Sequence, residues 1–449
     1  MATGITGREQ KSQDAITAHV PHRDPHPLPS GQAEPFLAYD NRITQAEALQ
    51  AIPVDFSVRE ASGWRDTTLA ANAFALCDNL AGLSALAQSG QKARLFYLDP
   101  PYNTGMGFHS RSLQHAYKDN RSTAAYVEFM RRRIILIREC LADDGSIYIH
   151  IGHQMLAHLK VVMDEIFGAK NFRNIISRRK CSSKNFTSNS YSNIHDYVLF
   201  YSKTDDYLWN QPGQKPTEEW VNKEYTKVDA KGRYKLVPIH APGTRNGETG
   251  LPWNGKNPPP GKHWQYAPSK LDELDQQGLI HWSKTGNPRR KVYLTDDKMV
   301  PYTDQWDCFR DAHHQSIGIT GYPTEKNIDM LRMIVGASSD PGDLVVDPFC
   351  GSGTTLAAAD DLGRKFIGMD ESFTAASATL NRLRFGVKPM GDYVDRSALS
   401  SGGTLSLFSD LPSLSPHPSN LEHERKFAFL VDSELLSSFR KEIDDLADL

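Results

Sequence analysis

Short apolar runs, each followed by a polar turn and a helical pattern, recur along this chain. Residues 95–98, 344–346 and 365–369 have the length and bounding turns of buried strands. Residues 126–141 instead place apolar side chains at helical spacing, which leaves Arg131, Arg132 and Arg133 for a solvated basic side. Because such strands alternate with helices, we predict an α/β protein with a doubly wound, mostly parallel sheet and helices on both faces.

A carboxylate, two prolines and an aromatic ring, Asp99-Pro100-Pro101-Tyr102, directly follow the first of these runs. Proline fixes its own φ and biases its predecessor toward extended geometry, so a stiff turn should present two acceptors, the Asp99 carboxylate and the Pro100 carbonyl. The exocyclic amine of a planar base has two hydrogens to donate to them, and Tyr102 offers a stacking face to an extruded base. An ordinary strand-ending turn is the alternative interpretation.

A second cluster, residues 347–355, joins the run at 344–346 to a helical pattern at 356–359. Gly351 and Gly353 would let a ligand approach the backbone closely. Thr354 and Thr355 stand where first-turn amides and hydroxyls can meet a carboxylate. A strand, a glycine-containing loop and a helix start form the layout by which α/β sheets bind nucleotides at their carboxyl edge.

The following strand ends in an acidic pair, Asp370-Glu371, about 20 residues after the loop, where such sheets hold a ribose hydroxyl pair. The sequence has neither a phosphate-binding Gly-Lys-Thr nor a three-glycine dinucleotide fingerprint, so ATP and NAD fit poorly. S-adenosylmethionine fits better, since it carries a ribose, a carboxylate and a methyl made electrophilic by its sulfonium. The two clusters together therefore predict methyl transfer to a base amine.

Both clusters resemble motifs of the amino-methylating DNA methyltransferases. Residues 99–102 are similar to their catalytic motif, and residues 347–355 are similar to their S-adenosylmethionine loop. The catalytic motif comes first, which resembles the β group, including the modification subunits of type III restriction systems. The resemblance covers roughly residues 65–385. It implies catalytic roles for Asp99, Pro100, Pro101 and Tyr102, with no metal.

The resemblance also implies which residues bind the cofactor. Residues 76–80 are similar to the segment whose acid contacts the adenine side of the cofactor. Residues 321–327 are similar to the segment that closes over its methionine part, where the family usually has Pro in place of Asn327. The implied cofactor residues are Asp78, Asp99, Pro323, Lys326, Asp347, Phe349, Gly351, Ser352, Gly353, Thr354, Thr355, Asp370 and Glu371.

The first letter of the catalytic motif bears on the target base. In this family, Asp at that position usually accompanies N6-adenine methylation, and Ser usually accompanies N4-cytosine methylation. The resemblance therefore favours adenine N6 in a flipped-out base, with N4-cytosine as the alternative. Methylation of RNA and a DNA-binding relative that has lost transfer activity also stay open.

Local charge carries more information about partners than the formal net charge of −3. Two basic groups, in residues 170–184 and 284–291, favour DNA as the partner, although a solvated basic face is the alternative. The predicted DNA contacts are Arg173, Arg178, Arg179, Lys180, Lys184, Arg289 and Arg290.

The length of 449 residues suffices for a large α/β domain and a further module. We expect a flexible arm at 1–45, the first catalytic half at 46–204, a target-recognition insertion at 205–305, the cofactor-binding half at 306–397, a linker at 398–420 and a helical segment at 421–449. Six of the seven Trp fall at 209–306, where they should mainly form the core of a small domain.

Cysteine usage and hydropathy bear on the cellular setting. The five cysteines are scattered without paired spacing, so we expect neither disulfides nor zinc. No apolar run approaches the length of about 18 residues that a membrane span needs. We therefore expect a cytoplasmic protein without a membrane contact. A homodimer is possible, and the sequence does not indicate whether a restriction partner exists.

Overall fold

The chain divides into two units in a computed structural model that describes residues 35–61, 72–103, 107–109, 115–118, 121–181, 189, 191–310, 318–319, 322, 325–389 and 425–447. Unit 1 contains the described parts of Met1–Gln211, Thr303–Val394 and Glu422–Leu449. Unit 2 contains Pro212–Tyr302 among the described residues.

The strands of unit 1 alternate with helices, and the strands of unit 2 have two to seven residues. They are β1 (Phe56–Ala61), β2 (Ala73–Leu76), β3 (Ala93–Leu98), β4 (Gly107–His109), β5 (His115–Lys118), β6 (Leu141–Ile151), β7 (Phe172–Arg179), β8 (His195–Ser202), β9 (Gly213–Gln214), β10 (Lys227–Asp229), β11 (Gly232–Pro238), β12 (His240–Pro242), β13 (Lys262–Trp264), β14 (Ile280–Trp282), β15 (Pro288–Tyr293), β16 (Val300–Pro301), β17 (Gln305–Trp306), β18 (Gly318–Ile319), β19 (Leu344–Asp347), β20 (Lys365–Asp370), β21 (Lys388–Pro389) and β22 (Ala428–Asp432).

The longer helices belong to unit 1. The helices are α1 (Gln45–Ala48), α2 (Asn79–Ser89), α3 (Thr123–Cys140), α4 (His153–Phe167), α5 (Glu218–Glu224), α6 (Pro268–Gln276), α7 (Ile328–Ser338), α8 (Thr354–Asp361), α9 (Phe373–Phe385), α10 (Ser433–Ser438) and α11 (Arg440–Ala447). Two 3₁₀ turns lie at Ala169–Asn171 and Glu248–Gly250.

The sheet of unit 1 has the strand order β1-β22-β2-β20-β19-β3-β6-β8-β7-β17. The strands from β22 to β6 run parallel, whereas β8 is antiparallel to both β6 and β7. The chain passes from β19 to β20 in one direction and from β3 to β6 in the other, so the strand order reverses between β19 and β3. Open α/β sheets bind ligands outside the carboxyl ends of the strands at such a reversal. The predicted doubly wound, mostly parallel sheet is confirmed.

Both faces of the central strands are buried, which explains why their sequences are apolar without interruption. In β3, Phe96 and Leu98 join the core formed with α2, α3 and α4, while Leu95 and Tyr97 point to the opposite face. Helices α7 and α8 pack against that opposite face, over β3, β19 and β20.

Helix α3 matches the predicted helix, but its basic side differs from the prediction. Ser122 caps the helix by accepting a hydrogen bond from the backbone N–H of Ala125 at 3.2 Å. The expectation of a solvated basic side is wrong for Arg131 and Arg133, which are only 1% and 6% exposed. Because α3 lies between α2 and α4, these guanidinium groups meet carboxylates on its neighbours, including Glu165 at 3.1 Å from Arg131 Nε.

The two ends of unit 1 differ from the sequence-based expectation. Residues 1–34 and 398–420 lie outside the described residues, whereas residues 37–43 pack against the core and Tyr39 Oη donates to Glu128 at 2.6 Å. The segment expected to be helical contains strand β22, between β1 and β2, before helices α10 and α11. A short apolar run such as residues 427–431 does not distinguish strand from helix by its periodicity.

Unit 2 has its own small core beside an antiparallel sheet of order β10-β11-β15-β14. Trp253 and Trp264 are each 2% exposed and pack with Leu271 of α6, and Trp282 stacks on Trp253 with ring centroids 5.1 Å apart. These three tryptophans therefore have the core role predicted from the sequence. Within the described part of the chain, no helix combines the length and apolarity needed to span a bilayer.

Candidate active site

Four carboxylates meet at the carboxyl edge of the parallel sheet. Asp78 and Asp99 closely follow β2 and β3, while Asp347 and Asp370 are the last residues of β19 and β20. The four strands are consecutive in the order β2-β20-β19-β3 and run parallel, so their ends lie along one edge. The topology thus brings together two sequence clusters that are far apart in the chain.

The turn at 99–102 is fixed by a hydrogen bond within it and another from α3. Tyr102 Oη donates to Asp99 Oδ1 at 3.2 Å, and Tyr126 Oη of α3 donates to the Pro101 carbonyl at 2.7 Å. Asn103 ends the turn with a φ of 54°, which Asn tolerates better than most residues. The predicted catalytic side chains Asp99 and Tyr102 are therefore held by their surroundings as well as by the two prolines.

The Tyr102 ring has space because the residue opposite it is glycine. A Cβ on Gly152, the residue before α4, would lie 3.0 Å from Tyr102 Cδ2. Behind Tyr102 lies the ring of His150 at 6.2 Å between centroids, and Tyr97 Oη is 2.8 Å from His150 Nδ1. Burial, with added repulsion from nearby cations, holds the pKa of His150 well below its usual value, so this imidazole is neutral.

Lys326 contacts the Asp99 carboxylate directly. Its Nζ lies 2.5 Å from Asp99 Oδ2 and 5.6 Å from the centroid of the Tyr102 ring. Burial raises the pKa of Asp99 above its ordinary value, and the Lys326 charge is the largest effect that opposes this rise. The sequence predicts contact with the cofactor for Lys326, and that role stays a prediction beside the observed contact with Asp99.

Lys326 stands between two anchored neighbours. Glu325 forms a buried ion pair with Arg382 of α9. Asn327 caps α7, because its Oδ1 accepts hydrogen bonds from the backbone N–H groups of Asp329 and Met330 at 2.9 and 3.2 Å. This capping role gives a physical reason for Asn at a position where the family usually has Pro. Pro323 lies outside the described residues.

In the glycine loop, Asp347 holds the loop backbone and the helix that follows. Its Oδ1 accepts from the N–H of Phe349 at 3.0 Å, and its Oδ2 accepts from Thr355 Oγ1 at 2.5 Å. Asp347 is 2% exposed, and burial raises its pKa to about 7. Asn79 Nδ2 donates to the Pro348 carbonyl at 2.6 Å, which ties the loop to α2.

Asp370 shapes the same loop from the neighbouring strand. Its Oδ2 accepts from the N–H of Gly351 and its Oδ1 from the N–H of Ser372, both at 3.0 Å. Burial raises its pKa to about 6. Gly353 has a φ of 70°, and a Cβ there would lie 3.0 Å from the Thr379 side chain, so glycine is required on two grounds.

Hydroxyl groups expected to meet the cofactor instead lie inside the loop. Ser352, Thr354 and Thr355 are at most 4% exposed, and Ser352 Oγ is 3.0 Å from Thr354 Oγ1 while Thr355 bonds Asp347. These side chains shape the loop, so a contact with the cofactor would fall to its backbone. Cofactor contact through their hydroxyls is not supported by this geometry.

Two acids of this edge remain accessible. Glu371 is exposed directly after Asp370, and the Asp78 side chain is 56% exposed while it accepts from Arg133 Nη2 at 2.9 Å. Arg133 also lies over the Phe129 ring at 3.6 Å, and Phe129 contacts Phe349 with centroids 6.1 Å apart. Carboxylates accept hydrogen bonds from hydroxyls, so this part of the edge suits a ribose beside aromatic rings.

Several residues that build the site carried no recognisable signal in the sequence. Tyr126, Arg133 and Arg382 come from helix interiors, where they look like ordinary core or surface positions. Asn79 is the residue of this set that the sequence could have indicated, because it directly follows Asp78 at a helix start.

The predicted DNA contacts in unit 1 are largely engaged inside the protein. Arg178 is fully buried, with Nε donating to the Phe309 carbonyl at 2.7 Å, so its predicted contact with DNA is wrong. Lys180 Nζ lies 2.7 Å from Asp196 Oδ1, and Arg173 donates to Ser202, Thr204 and Asp205. Arg179 is half-buried and donates to the Cys181 carbonyl at 3.3 Å, and Lys184 lies outside the described residues.

In unit 2, Arg289 and Arg290 are neighbours on strand β15. Successive side chains of a strand point to opposite faces, so the two arginines cannot contribute to one surface of the sheet. Arg289 is exposed, whereas Arg290 is half-buried and lies over the Tyr266 ring at 5.6 Å. Of the predicted pair, Arg289 is the better placed to meet a phosphate.

The fold and the edge of the sheet define an α/β methyltransferase that uses S-adenosylmethionine, because a glycine loop, accessible acids for a ribose and the Asp-Pro-Pro-Tyr turn meet where the strand order reverses. The family model described as DNA methylase, for N6 and N4 amino methylation, matches residues 93–379. The chain belongs to this N6/N4 DNA methylase family.

The chain is also similar in sequence to proteins whose names describe DNA methyltransferases or restriction-modification enzymes. The chain is 56% identical over 402 residues to the type II methyltransferase M.EcaI of Enterobacter cloacae, a match that covers 88% of each protein. It is 30% identical over 323 residues to the StyLTI Mod subunit, a type III restriction-modification enzyme of Salmonella typhimurium, covering 64% of this chain but 49% of that one. A 140-residue match at 33% identity to the DNA adenine methyltransferase YhdJ of Escherichia coli covers 30% of this chain and 47% of that one.

Proposed function

We propose that this DNA methyltransferase transfers a methyl group to the N6 amine of adenine in a flipped-out base, as the modification enzyme of a type II restriction-modification system. The observation that carries the proposal is the Asp99-Pro100-Pro101-Tyr102 turn beside the glycine loop, with Asp at its first position. The name of the E. coli relative, a DNA adenine methyltransferase, supports adenine, and the name of the E. cloacae relative supports the type II assignment.

Asp99 and the Pro100 carbonyl accept the two hydrogens of the amine in this proposal. The amine lone pair is normally delocalised into the base, and hydrogen bonds to both N–H groups favour a more tetrahedral, nucleophilic nitrogen. Tyr102 stacks on the base and replaces the stacking lost on extrusion. Positioning of this kind can lower a barrier by roughly 7 to 11 kcal/mol at best.

The bound cofactor supplies an electrophilic methyl group on its sulfonium. With the cofactor bound, transfer would join the amine nitrogen to the methyl carbon as the bond from that carbon to sulfur breaks, and the nitrogen would then lose one proton. Asp99 need not remove that proton beforehand, because an N-methylated ammonium is far more acidic than the starting amine. Asp99 thus acts mainly as an acceptor that orients and polarises the amine.

Glu371 and Asp78, the two accessible acids, contact different parts of the cofactor in this proposal. Glu371 accepts the ribose hydroxyls, Asp78 lies on the adenine side, and Phe349 provides an apolar wall. Asp347 and Asp370 hold the loop in shape through backbone N–H groups. DNA contact is proposed for Arg289 in unit 2 and for Arg179 in unit 1, and unit 2 is proposed to read the target sequence.

Labelling of DNA tests the proposal. The purified protein is incubated with S-adenosylmethionine tritiated in the methyl group and with unmethylated genomic DNA, and the DNA is then digested to nucleosides and separated by chromatography. Labelled N6-methyladenine is the expected product, and sequencing of the marks then gives the recognition site. An Asp99→Ala protein run in parallel should give no label.

Other products would overturn parts of the proposal. Labelled N4-methylcytosine would keep the fold and the site but contradict the base assignment. Binding of the cofactor without label in any DNA would contradict the activity and direct the assay to RNA.

A further inference from the structure

We infer that Lys326 is a positioning residue that keeps the largely buried Asp99 carboxylate ionised and oriented, and so sets the acidic limit of methyl transfer. The inference rests on the proposed role of Asp99 as an acceptor for the target amine. It differs from a role for Lys326 in binding the cofactor. The 2.5 Å contact between Lys326 Nζ and Asp99 Oδ2 carries it.

The chemistry of Asp99 depends on its ionisation. An ionised carboxylate is an acceptor only, with lone pairs left for the amine after it has accepted from Lys326 and Tyr102. A protonated carboxyl would present a donor toward an amine that also donates. The protein must therefore keep Asp99 charged at a position where burial favours the neutral acid.

Lys326 is placed for this task by its neighbours. It is 8% exposed, and its backbone is held on one side by the ion pair of Glu325 with Arg382 and on the other by the capping of α7 by Asn327. A long lysine side chain anchored at its base loses less freedom when its ammonium meets one carboxylate. The buried pair is also the arrangement in which each charge offsets the desolvation of the other.

No other described cation contacts the Asp99 carboxylate. Arg178 and Lys180 instead surround Asp196 on β8, with Nη1–Oδ2 and Nζ–Oδ1 distances of 3.7 and 2.7 Å. The titratable and charged groups that face Asp99 or its contacts among the described residues are Lys326, Tyr102, Tyr97, Asp347, Asp196, His150, Arg178 and Lys180.

The test compares pH profiles of Lys326→Gln and the native protein. Single-turnover rates with saturating S-adenosylmethionine are measured from pH 5 to 9, counting all methyl groups in DNA whatever the base. Gln keeps a hydrogen-bond donor on a long side chain but removes the charge. The acidic limb of the profile, where the rate falls as the pH is lowered, should therefore move to higher pH by about 1 to 3 units, the usual effect of a neighbouring opposite charge. Rates at the alkaline end should recover much of the native value, and Lys326→Arg should restore the native limb.

Two comparisons isolate the effect. Asp347 and Asp370, with pKa values of about 7 and about 6, also titrate within the assayed pH range. Both residues are unchanged in the variant, so a displacement of the acidic limb belongs to Asp99. Lys160→Gln is the matched control, because Lys160 pairs with Asp164 at 2.6 Å on α4, within one helix and away from the carboxyl edge. This control should keep the native limb.

The opposite pattern would overturn the inference. If Lys326→Gln weakens S-adenosylmethionine binding in calorimetry tenfold or more and leaves the acidic limb in place, Lys326 is a cofactor ligand. If all Lys326 variants are inactive, melting temperatures still decide the matter. Asp99→Asn should melt lower than Asp99→Asn/Lys326→Gln, since only the single variant keeps the Lys326 ammonium largely buried without the carboxylate charge that offsets its desolvation. Equal or reversed melting temperatures would contradict the pairing.

The outcome is separable from that of the proposed function. Labelled N4-methylcytosine would contradict the adenine assignment while the pH comparison stands. Absence of transfer by the native protein would contradict the proposed function, and the melting comparison would still test the pair.

Discussion

Asp99 and Asp347 end two neighbouring parallel strands, β3 and β19, yet their carboxylates have different partners. Asp347 accepts from a backbone N–H and a threonine hydroxyl of its own loop, whereas Asp99 accepts from the side chains of Tyr102 and Lys326. Both oxygens of the Asp347 carboxylate are thus engaged in local hydrogen bonds. The Asp99 carboxylate is held by side chains from outside the glycine loop, and we propose that it is the one that serves the substrate.

The comparison teaches that identical residues at equivalent strand ends need not share a role. Asp370 follows the pattern of Asp347, with both oxygens on backbone N–H groups of the loop and the next helix. Adjacent Glu371 and Asp78 remain accessible. Three variants test this division of the carboxyl edge, and a fourth tests the proposed DNA contact in unit 2; they are taken from the largest expected effect to the smallest.

Replacement of Asp99 should have the largest effect. Asp99→Ala removes the proposed acceptor of the target amine, so turnover should fall by about 10² to 10³, the range for loss of one positioned hydrogen-bonding group at the reacting atoms. Calorimetry should show S-adenosylmethionine binding nearly unchanged. Asp343→Ala, at the opposite end of β19 where Asp343 pairs with Arg94 at 3.1 Å, is the control and should retain activity. Loss of cofactor binding along with activity would contradict the assigned role.

Asp347→Asn should change how stability depends on pH. The pKa of Asp347 is about 7 when folded and about 3.9 when unfolded, so its contribution to stability is present at low pH and is lost as pH rises from about 4 through 7. Asn does not titrate, so the variant does not lose stability in this way as the pH rises. Urea unfolding of both cofactor-free proteins should show that the free energy of unfolding of the native protein falls relative to that of the variant. The fall should be about 1.4 kcal/mol for each unit by which folding raises the pKa. Parallel profiles would show that Asp347 is ionised at low pH in the folded protein.

Glu371→Gln should act on cofactor binding alone. Loss of a charge-assisted hydrogen bond to a ribose hydroxyl corresponds to an increase of about tenfold in the KM for S-adenosylmethionine. The value of kcat should stay unchanged, because the bond is the same before and during transfer. Glu434→Gln, an exposed acid at the start of α10, serves as the control. A lowered kcat with normal KM would place Glu371 elsewhere in the reaction.

Arg289→Ala should have the smallest effect. Removal of one phosphate contact should weaken DNA binding for all sequences alike and reduce the slope of log K against log salt by about 1. Titrations over a range of salt concentrations measure both. Arg233→Ala is the matched control, since Arg233 is exposed on β11 of the same sheet but points to the opposite face by register. Equal slopes for Arg289→Ala and the native protein would remove Arg289 from the proposed interface.

The sequence predicted the centre of the fold well because its signals there are local. Residues 95–98, 344–346 and 365–369 are apolar runs that end in Asp99, Asp347 and Asp370, and parallel strands bring such ends to one edge. The partners of these acids could not be predicted, because a contact such as Lys326 with Asp99 depends on tertiary packing.

The charge of a residue did not predict whether its side chain is exposed. Arg131, Arg133 and Arg178 look like surface residues in the sequence, yet each is buried beside a carboxylate that is distant along the chain. Strand β22 was missed for a related reason: its neighbours β1 and β2 lie at the other end of the sequence.

The adjacency of β3 and β19 has a consequence for protein synthesis. The ribosome completes the catalytic turn at 99–102 early, but β19 and its glycine loop emerge only after all of Pro212–Tyr302. Until then β3 lacks its neighbour on one side, and the carboxyl edge has Asp99, the proposed acceptor of the target amine, without the glycine loop. We therefore expect a nascent or prematurely terminated chain to be unable to modify DNA, and we expect its unpaired apolar β3 edge to attract chaperones and proteases.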